Sequence, residues 1–223
     1  MPHISVAAVL LPTILAAHGL RKKSLSPSGA LTAFFVGFFM FSGSLKVWGV
    51  SLIGFYLLGS RATKYGKQRK AKLEAGYHDS GYRSGWQVLS NSFSAAVAAS
   101  AWNILFDPRG VHAWVWGALT AGATSTIAQT YTSDAWCPSS NDVGNGWSRA
   151  LLFAALGHFA CCLGDTLASE LGILSSSPPR LITTGKVVPP GTNGGVSVGG
   201  TLASFGGGIT MGKCPGFLCP AIL

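Results

Sequence analysis

Charge is what this sequence has least of. Only 10% of its 223 residues are Asp, Glu, Lys or Arg, against about 25% in soluble domains. That is too few to face water, so the solvent implied is a lipid bilayer. Acids are the scarcer sign, 7 against 16 Lys and Arg, for a net charge of +9. The sequence has no Asn-x-Ser/Thr sequon, so glycosylation marks no loop. Its five cysteines form no zinc spacing and no disulfide framework: Cys161 and Cys162 adjoin in an apolar run, while Cys137, Cys214 and Cys219 stand apart. Buried or free thiols are expected. The final Cys219-Pro-Ala-Ile-Leu is one residue too long for a prenylation box. Neither Gly185-Lys186 nor Gly212-Lys213 is followed by Ser or Thr, which excludes a Walker A loop. Gly-x-Ser-x-Gly and His-Glu-x-x-His are missing as well, and no internal repeat points to an inverted-repeat carrier.

What is present is apolar: 48% of residues are hydrophobic, and the mean hydropathy is +0.39. Ten of the sixteen basic residues lie in Arg21–Lys23 and Arg61–Arg83, beside apolar runs. This is the positive-inside pattern of a cytoplasmic face. Only Tyr65 and Tyr77 interleave the second cluster, and no nucleic-acid-binding motif frames it. No nucleic-acid partner is expected.

The reading is an all-α, polytopic helical bundle in the membrane, with about five to six transmembrane helices of roughly 20 residues each. Residues 1–212 form one multi-pass domain, with a basic cytoplasmic loop at 60–86, an insert at 111–148 and an atypical tail at 213–223. Ile4–Leu20 is a first anchor carrying Pro12. Ser26-Pro27 reads as N-cap and first helical position. Gly29–Ser42 and Leu45–Gly59 make a hairpin, Gln87–Phe106 the next span, and Ala150–Leu171 a helix with Gly172 as its C-cap. Val196–Met211 is the last apolar stretch. Val111–Tyr131 is polar for a span and reads as an interfacial or re-entrant piece, which puts the acids of Ala150–Leu171 on the basic loop's face.

Those acids are Asp165 and Glu170. Carboxylates in an apolar helix are costly, so they read as functional by default, and they call for nearby positive charge. Asp165 with Ser169, and Thr166 with Glu170, are four residues apart and form an oxygen-rich patch over one turn. Few oxygen ligands suit Mg²⁺, which keeps waters and bridges carboxylates to phosphates. Lys64, Arg180 and Lys186 would meet an anionic phosphate, and the loop Gly191, Thr192, Asn193, Gly194 and Gly195 would cradle it with backbone amides. Asn91 is a supporting polar residue that would reach the site from the same face. His158 reads as a packed helix residue, and Gly199-Gly200 and Gly206–Gly208 as packing glycines.

Several blocks then resemble one family together: Lys23-Ser-Leu-Ser-Pro-Ser-Gly-Ala30, Ser60-Arg-Ala-Thr-Lys-Tyr65, Gln87-Val-Leu-Ser-Asn91, Gly164-Asp-Thr-Leu-Ala-Ser-Glu-Leu-Gly172, and Val188-Pro-Pro-Gly-Thr-Asn-Gly-Gly-Val-Ser197. Their order and spacing, from about Leu20 to Ala203, resemble the transmembrane protein 19 family, also called domain of unknown function 92. The resemblance implies a multi-pass membrane protein. One chloroplast branch of that family is a phytyl-phosphate kinase, which implies an isoprenoid phosphate as partner and a nucleoside triphosphate with Mg²⁺ as co-substrate and cofactor. Two departures stand out. The insert separates blocks that usually lie closer, and the chain looks C-terminally truncated after Ser204. Two rival readings fit the same residues: an ion-coupled transporter with Asp165 and Glu170 as a cation site, and a non-catalytic membrane protein whose polar blocks lock helices together.

Overall fold

The computed structural model describes residues 4–73, 82–120, 122, 130–132 and 137–213; the readings placed on Tyr77, Cys214, Cys219 and the tail from 214 lie outside them. The chain folds into helices α1 (Val6–Arg21), α2 (Pro27–Ser42), α3 (Lys46–Lys64), α4 (Lys67–Leu73), α5 (Gly85–Ser90), α6 (Phe93–Phe106), α7 (Val111–Leu119), α8 (Trp147–Gly172) and α9 (Val198–Gly212). Between α8 and α9 lies a two-residue antiparallel ladder, β1 (Arg180–Leu181) with β2 (Gly195–Val196).

Local chemistry sets the helix ends. The Ser26 hydroxyl accepts from Gly29 N at 2.9 Å, and Pro27 takes the first turn of α2. Ser197 caps α9 by accepting from Gly200 N at 3.1 Å. The expected Gln87–Phe106 span is instead two helices broken at Asn91-Ser92. There the Ser92 hydroxyl donates to Val88 O at 2.8 Å and Ser90 to Gln87 O at 3.2 Å, and such local bonds compete with the helix ladder. The basic loop is likewise not all loop, since it contains α4 and the start of α5.

α8 is the central element, with α9, α6 and α3 packed on it. The core joins Trp48, Trp102, Phe106, Phe159 and Leu163, all buried. Trp102 donates its indole N–H to Ser148 at 2.8 Å, satisfying the polar end of a buried ring. Large apolar side chains such as Leu31, Phe35, Leu57, Phe153 and Phe205 point outward, a surface suited to lipid. Among the described residues one helical stretch, Val143–Gly172, is long and apolar enough to cross a membrane alone: 30 residues that include an 18-residue window of mean hydropathy 1.6. α1, α2 and α6 are apolar but, at 16, 16 and 14 residues, fall short of the roughly 20 of a full span. The nine-residue α7 is about 13 Å long and cannot span.

Small residues bring α8 and α9 into backbone contact. A Cβ on Gly207 would sit 3.1 Å from Gly164 N, and one on Gly200 would sit 3.0 Å from Ala168 O. Gly172, expected as the C-cap of α8, is its last helical residue and lies against Gly200, where its own Cβ would be 3.1 Å from the Gly200 Cα. Gly199 is packed as well, its Cβ position 2.9 Å from Ser175 Oγ, whereas Gly206 and Gly208 have open space around them, so the packing role holds for Gly199, Gly200 and Gly207 and not for Gly206 and Gly208. Gly207→Leu should therefore cost about 1–3 kcal/mol through overpacking, whereas Gly206→Leu leaves thermal unfolding in detergent unchanged. Equal melting of the two variants would refute the seam.

Candidate functional site

A turn at Tyr65-Gly66 folds α4 back beneath the end of α3. Gly66 has φ +64°, and the amides of Arg69 and Lys70 close on Gly66 O at 2.9 and 3.0 Å. The Lys70 side chain is thereby buried, 2% exposed, with three acceptors for its three N–H groups: Ala62 O at 2.8 Å, Thr63 O at 3.3 Å and Glu170 Oε2 at 2.7 Å. Two of these are carbonyls of the last turn of α3, at the negative end of its dipole, where Ala62 O also accepts from Tyr65 N at 3.2 Å. The third is a site carboxylate. Glu170 therefore lies on the basic loop's face of the bundle, paired with a lysine and not with Lys64, Arg180 or Lys186.

Beside this pair opens a cleft of about 890 Å³ whose walls include Asp165, Ser169, Glu170, Lys70 and the loop Gly191, Thr192, Asn193, Gly194 and Gly195. Its size is that of small-molecule pockets. Gly191 at φ +86° and Gly194 at φ +77° give the loop a path that side-chain-bearing residues resist. Thr192 closes the turn by donating its hydroxyl to Pro189 O at 2.8 Å, and Ile182 N donates to Gly194 O at 3.0 Å, tying the loop to the ladder. The amides of Asn193 and Gly194 donate to no group among the described residues. Asp165 is exposed to the cleft and makes no ion pair among the described residues. Ser197 joins the two helix ends at the cleft wall, donating to Gly172 O at 3.2 Å while capping α9.

The remaining candidates lie elsewhere. Arg180 is exposed on the ladder and donates to Gly185 O at 3.0 Å; Lys186 and Lys64 are exposed, and none of the three lines the cleft. The Thr166 hydroxyl donates to Cys162 O at 2.8 Å, outside the cleft walls. Asn91 lines a separate apolar groove. His158 is bonded at Nδ1 to the Ser94 hydroxyl, 2.7 Å away. Cys161 and Cys162 are free thiols as expected, but Cys137 is disulfide-bonded. No cluster of three or more His, Cys, Asp or Glu side chains occurs among the described residues, so a cation here has two carboxylates to use.

Lys70 was not singled out by sequence, and neither was Arg83. Burial pushes the Arg83 guanidinium below its ordinary value, with Tyr56 and Glu170 opposing that shift. The profile of the integral membrane protein family DUF92 matches residues 10–222. The chain belongs to this family. It is 34% identical over 208 residues to Protein PGR of Arabidopsis thaliana, covering 93% of this chain and 62% of that one. It is 27% identical over 208 residues to a membrane protein of Synechocystis, covering 92% of this chain and 66% of that one. The chain thus spans less than two thirds of the length of these curated relatives. No solved structure matches. As a DUF92 protein it is a multi-pass membrane protein, and its outward apolar surface contacts the bilayer.

Removing one partner of the buried Lys70–Glu170 pair strands the other charge. Lys70→Met should destabilise the protein by about 2–3 kcal/mol, discounted because Glu170 keeps some solvent. A Lys70→Met, Glu170→Leu double variant should recover part of that loss, as a double-mutant cycle in detergent would measure. Strict additivity would mean the two side chains do not depend on each other.

Proposed function

We propose that this DUF92 protein transfers a phosphoryl group from a nucleoside triphosphate to an isoprenoid phosphate at the Asp165 cleft. One observation carries the reading: a carboxylate with no ion pair among the described residues, in an apolar helix, faces a glycine loop with two amides that donate to none of those residues, across a roomy cleft. Among the described residues, Asp165, Glu170 and Lys70 are the charged side chains on its walls, with a net charge of −1 between them. A polyphosphate enters such a site only with a divalent cation between it and the carboxylates.

The donor set fits Mg²⁺. Asp165 and the Oε1 oxygen of Glu170, left over after Lys70 takes Oε2, would hold it, and one or two carboxylates with waters are what this ion takes. When bound, Mg²⁺ supplies charge neutralisation for the phosphates. The chain's own residues do the rest by positioning. Lys70 fixes Glu170, the Asn193 and Gly194 amides receive a phosphate oxygen, and Lys64, Arg180 and Lys186 draw anions towards this face from the exposed side. A phosphate-monoester acceptor is already ionised near neutral pH, with its second pKa about 6, so the reaction needs no general base. Positioning and charge neutralisation carry most phosphoryl transfers.

In reconstituted full-length chain given Mg²⁺, a nucleoside triphosphate labelled on its terminal phosphate and a long-chain isoprenyl phosphate, labelled isoprenyl diphosphate should form. Asp165→Asn should lower its formation at least about 100-fold with unfolding temperature retained. Nucleotide-independent cation flux in proteoliposomes, lost in Asp165→Asn, would replace this reading with a carrier.

A further inference from the structure

α8 begins at the end of the bundle opposite the Asp165 cleft, where Ser148 bonds Trp102 and Gly144 lies against Phe106. α7 starts at that same end, five residues after Phe106. Its first turn carries His112, which is 3% exposed, and neither ring nitrogen has a hydrogen-bond partner among the described residues. The ring packs on Phe39 of α2, with centroids 5.6 Å apart. α6 and α2 hold α7 to the bundle, and neither helix contains an ionisable side chain. A buried imidazole thus sits between two uncharged helices.

Among the described residues the acid beside it is Asp107, in the turn that leads into α7. That carboxylate is already engaged, accepting from the Ser44 hydroxyl at Oδ2. The turn is closed by Gly110 N donating to Asp107 O at 3.0 Å, and a Cβ on Gly110 would run into the carboxylate. Arg109, in the same turn, and Lys46, two residues past Ser44, are exposed cations and add to the cost of a third. The first turn of α7 is also the positive end of its dipole, which disfavours an imidazolium.

Burial pushes His112 from its ordinary 6.5 down to about 4, against the opposing pulls of Asp107 and of the Phe39 carbonyl, which lies near without bonding it. On an α7 released from α2 and α6 the ring would meet water and regain its ordinary pKa of about 6.5. Between those two values the docked state binds fewer protons than the released one. Docking is therefore complete above about pH 7 and weakens as the pH falls towards 4. The outer side of α7 presents Trp114, Trp116 and Leu119, all exposed. Such side chains settle at a membrane interface, which gives a released helix a place to rest.

We propose that α7 is an acid-released strap: protonation of His112 undocks it from α2 and α6 at the end of the bundle opposite the basic loop. A single titrating group is enough, because the docked site supplies no second unengaged carboxylate among the described residues.

The test is a distance measurement by electron paramagnetic resonance on the full chain in nanodiscs. Spin labels are carried on ketone-bearing side chains at Val97 of α6 and Leu119 of α7, both exposed, which leaves the native cysteines untouched. A longer-distance population should appear on acidification, its ratio to the docked one rising about 70-fold from pH 7.5 to pH 4.5. A control pair at Val97 and Leu202 of α9 should keep its distance. In His112→Phe and His112→Gln, which cannot take the proton, α7 should stay docked at both pH values. No released population at pH 4.5, or one that persists in both variants, would overturn the strap. So would a shift shared by the control pair, which is general acid unfolding. Release of both variants already at pH 7.5 would also overturn it, since the ring and not its charge would then hold α7.

Discussion

The Lys70–Glu170 contact is the interaction on which the site's geometry depends. A buried ammonium is tolerable only with its donors satisfied and its charge answered, and Lys70 meets both needs by closing the last turn of α3 and pairing with α8. This one side chain ties three elements together: α4, which carries it, the end of α3, and the acid-bearing turn of α8. It brings the basic loop under the cleft. It also occupies one oxygen of Glu170, so among the described residues the carboxylate of the site without an ion pair is Asp165.

The opposite wall is built by a different force. Helices in lipid gain little from apolar burial against each other and associate through close packing of small residues. Gly164, Ala168 and Gly172 on α8 meet Gly200 and Gly207 on α9 at backbone distance. That seam places the start of α9 beside the end of α8, where Ser197 bridges the two. The segment between them has nowhere to go but outward and back. The short ladder returns it, and Gly191 and Gly194 turn it over the carboxylates. The cleft is thus the space left between a polar clamp on one side and a steric seam on the other.

Much of this was legible in the sequence because it depends on local chemistry. Ser26-Pro27 declared the start of α2, and scarce acids in an apolar run declared Asp165 and Glu170. The glycine loop was recognisable from composition and from its family resemblance, and it does meet those acids. What was hidden depends on contacts distant in the chain. Nothing in Lys67–Lys72 distinguishes the buried lysine from its exposed neighbours; the difference is that the Gly66 turn aims Lys70 at the end of α3. Arg180 and Lys186 were natural phosphate ligands by proximity in sequence to the acids, yet both are exposed and neither lines the cleft, Arg180 donating instead to Gly185 O. The break at Asn91-Ser92 was concealed for a related reason. Gln87–Phe106 reads as one apolar span with Asn91 as a polar residue near its start, while the bonds of Ser92 to Val88 O and of Ser90 to Gln87 O interrupt it.

That interruption has a structural consequence. A continuous helix over 87–106 would carry its polar groups into a packed face, whereas the break leaves Asn91 on the groove lined by Arg83 and Tyr56. Polar backbone and side chains at membrane depth persist where they line a cavity. Among the described residues the bundle therefore has at least two openings, one apolar with a cationic end and one acidic beside the glycine loop. Arg83 of the first lies beside Gly59 and the methyl of Thr166, one helical turn before Glu170 of the second.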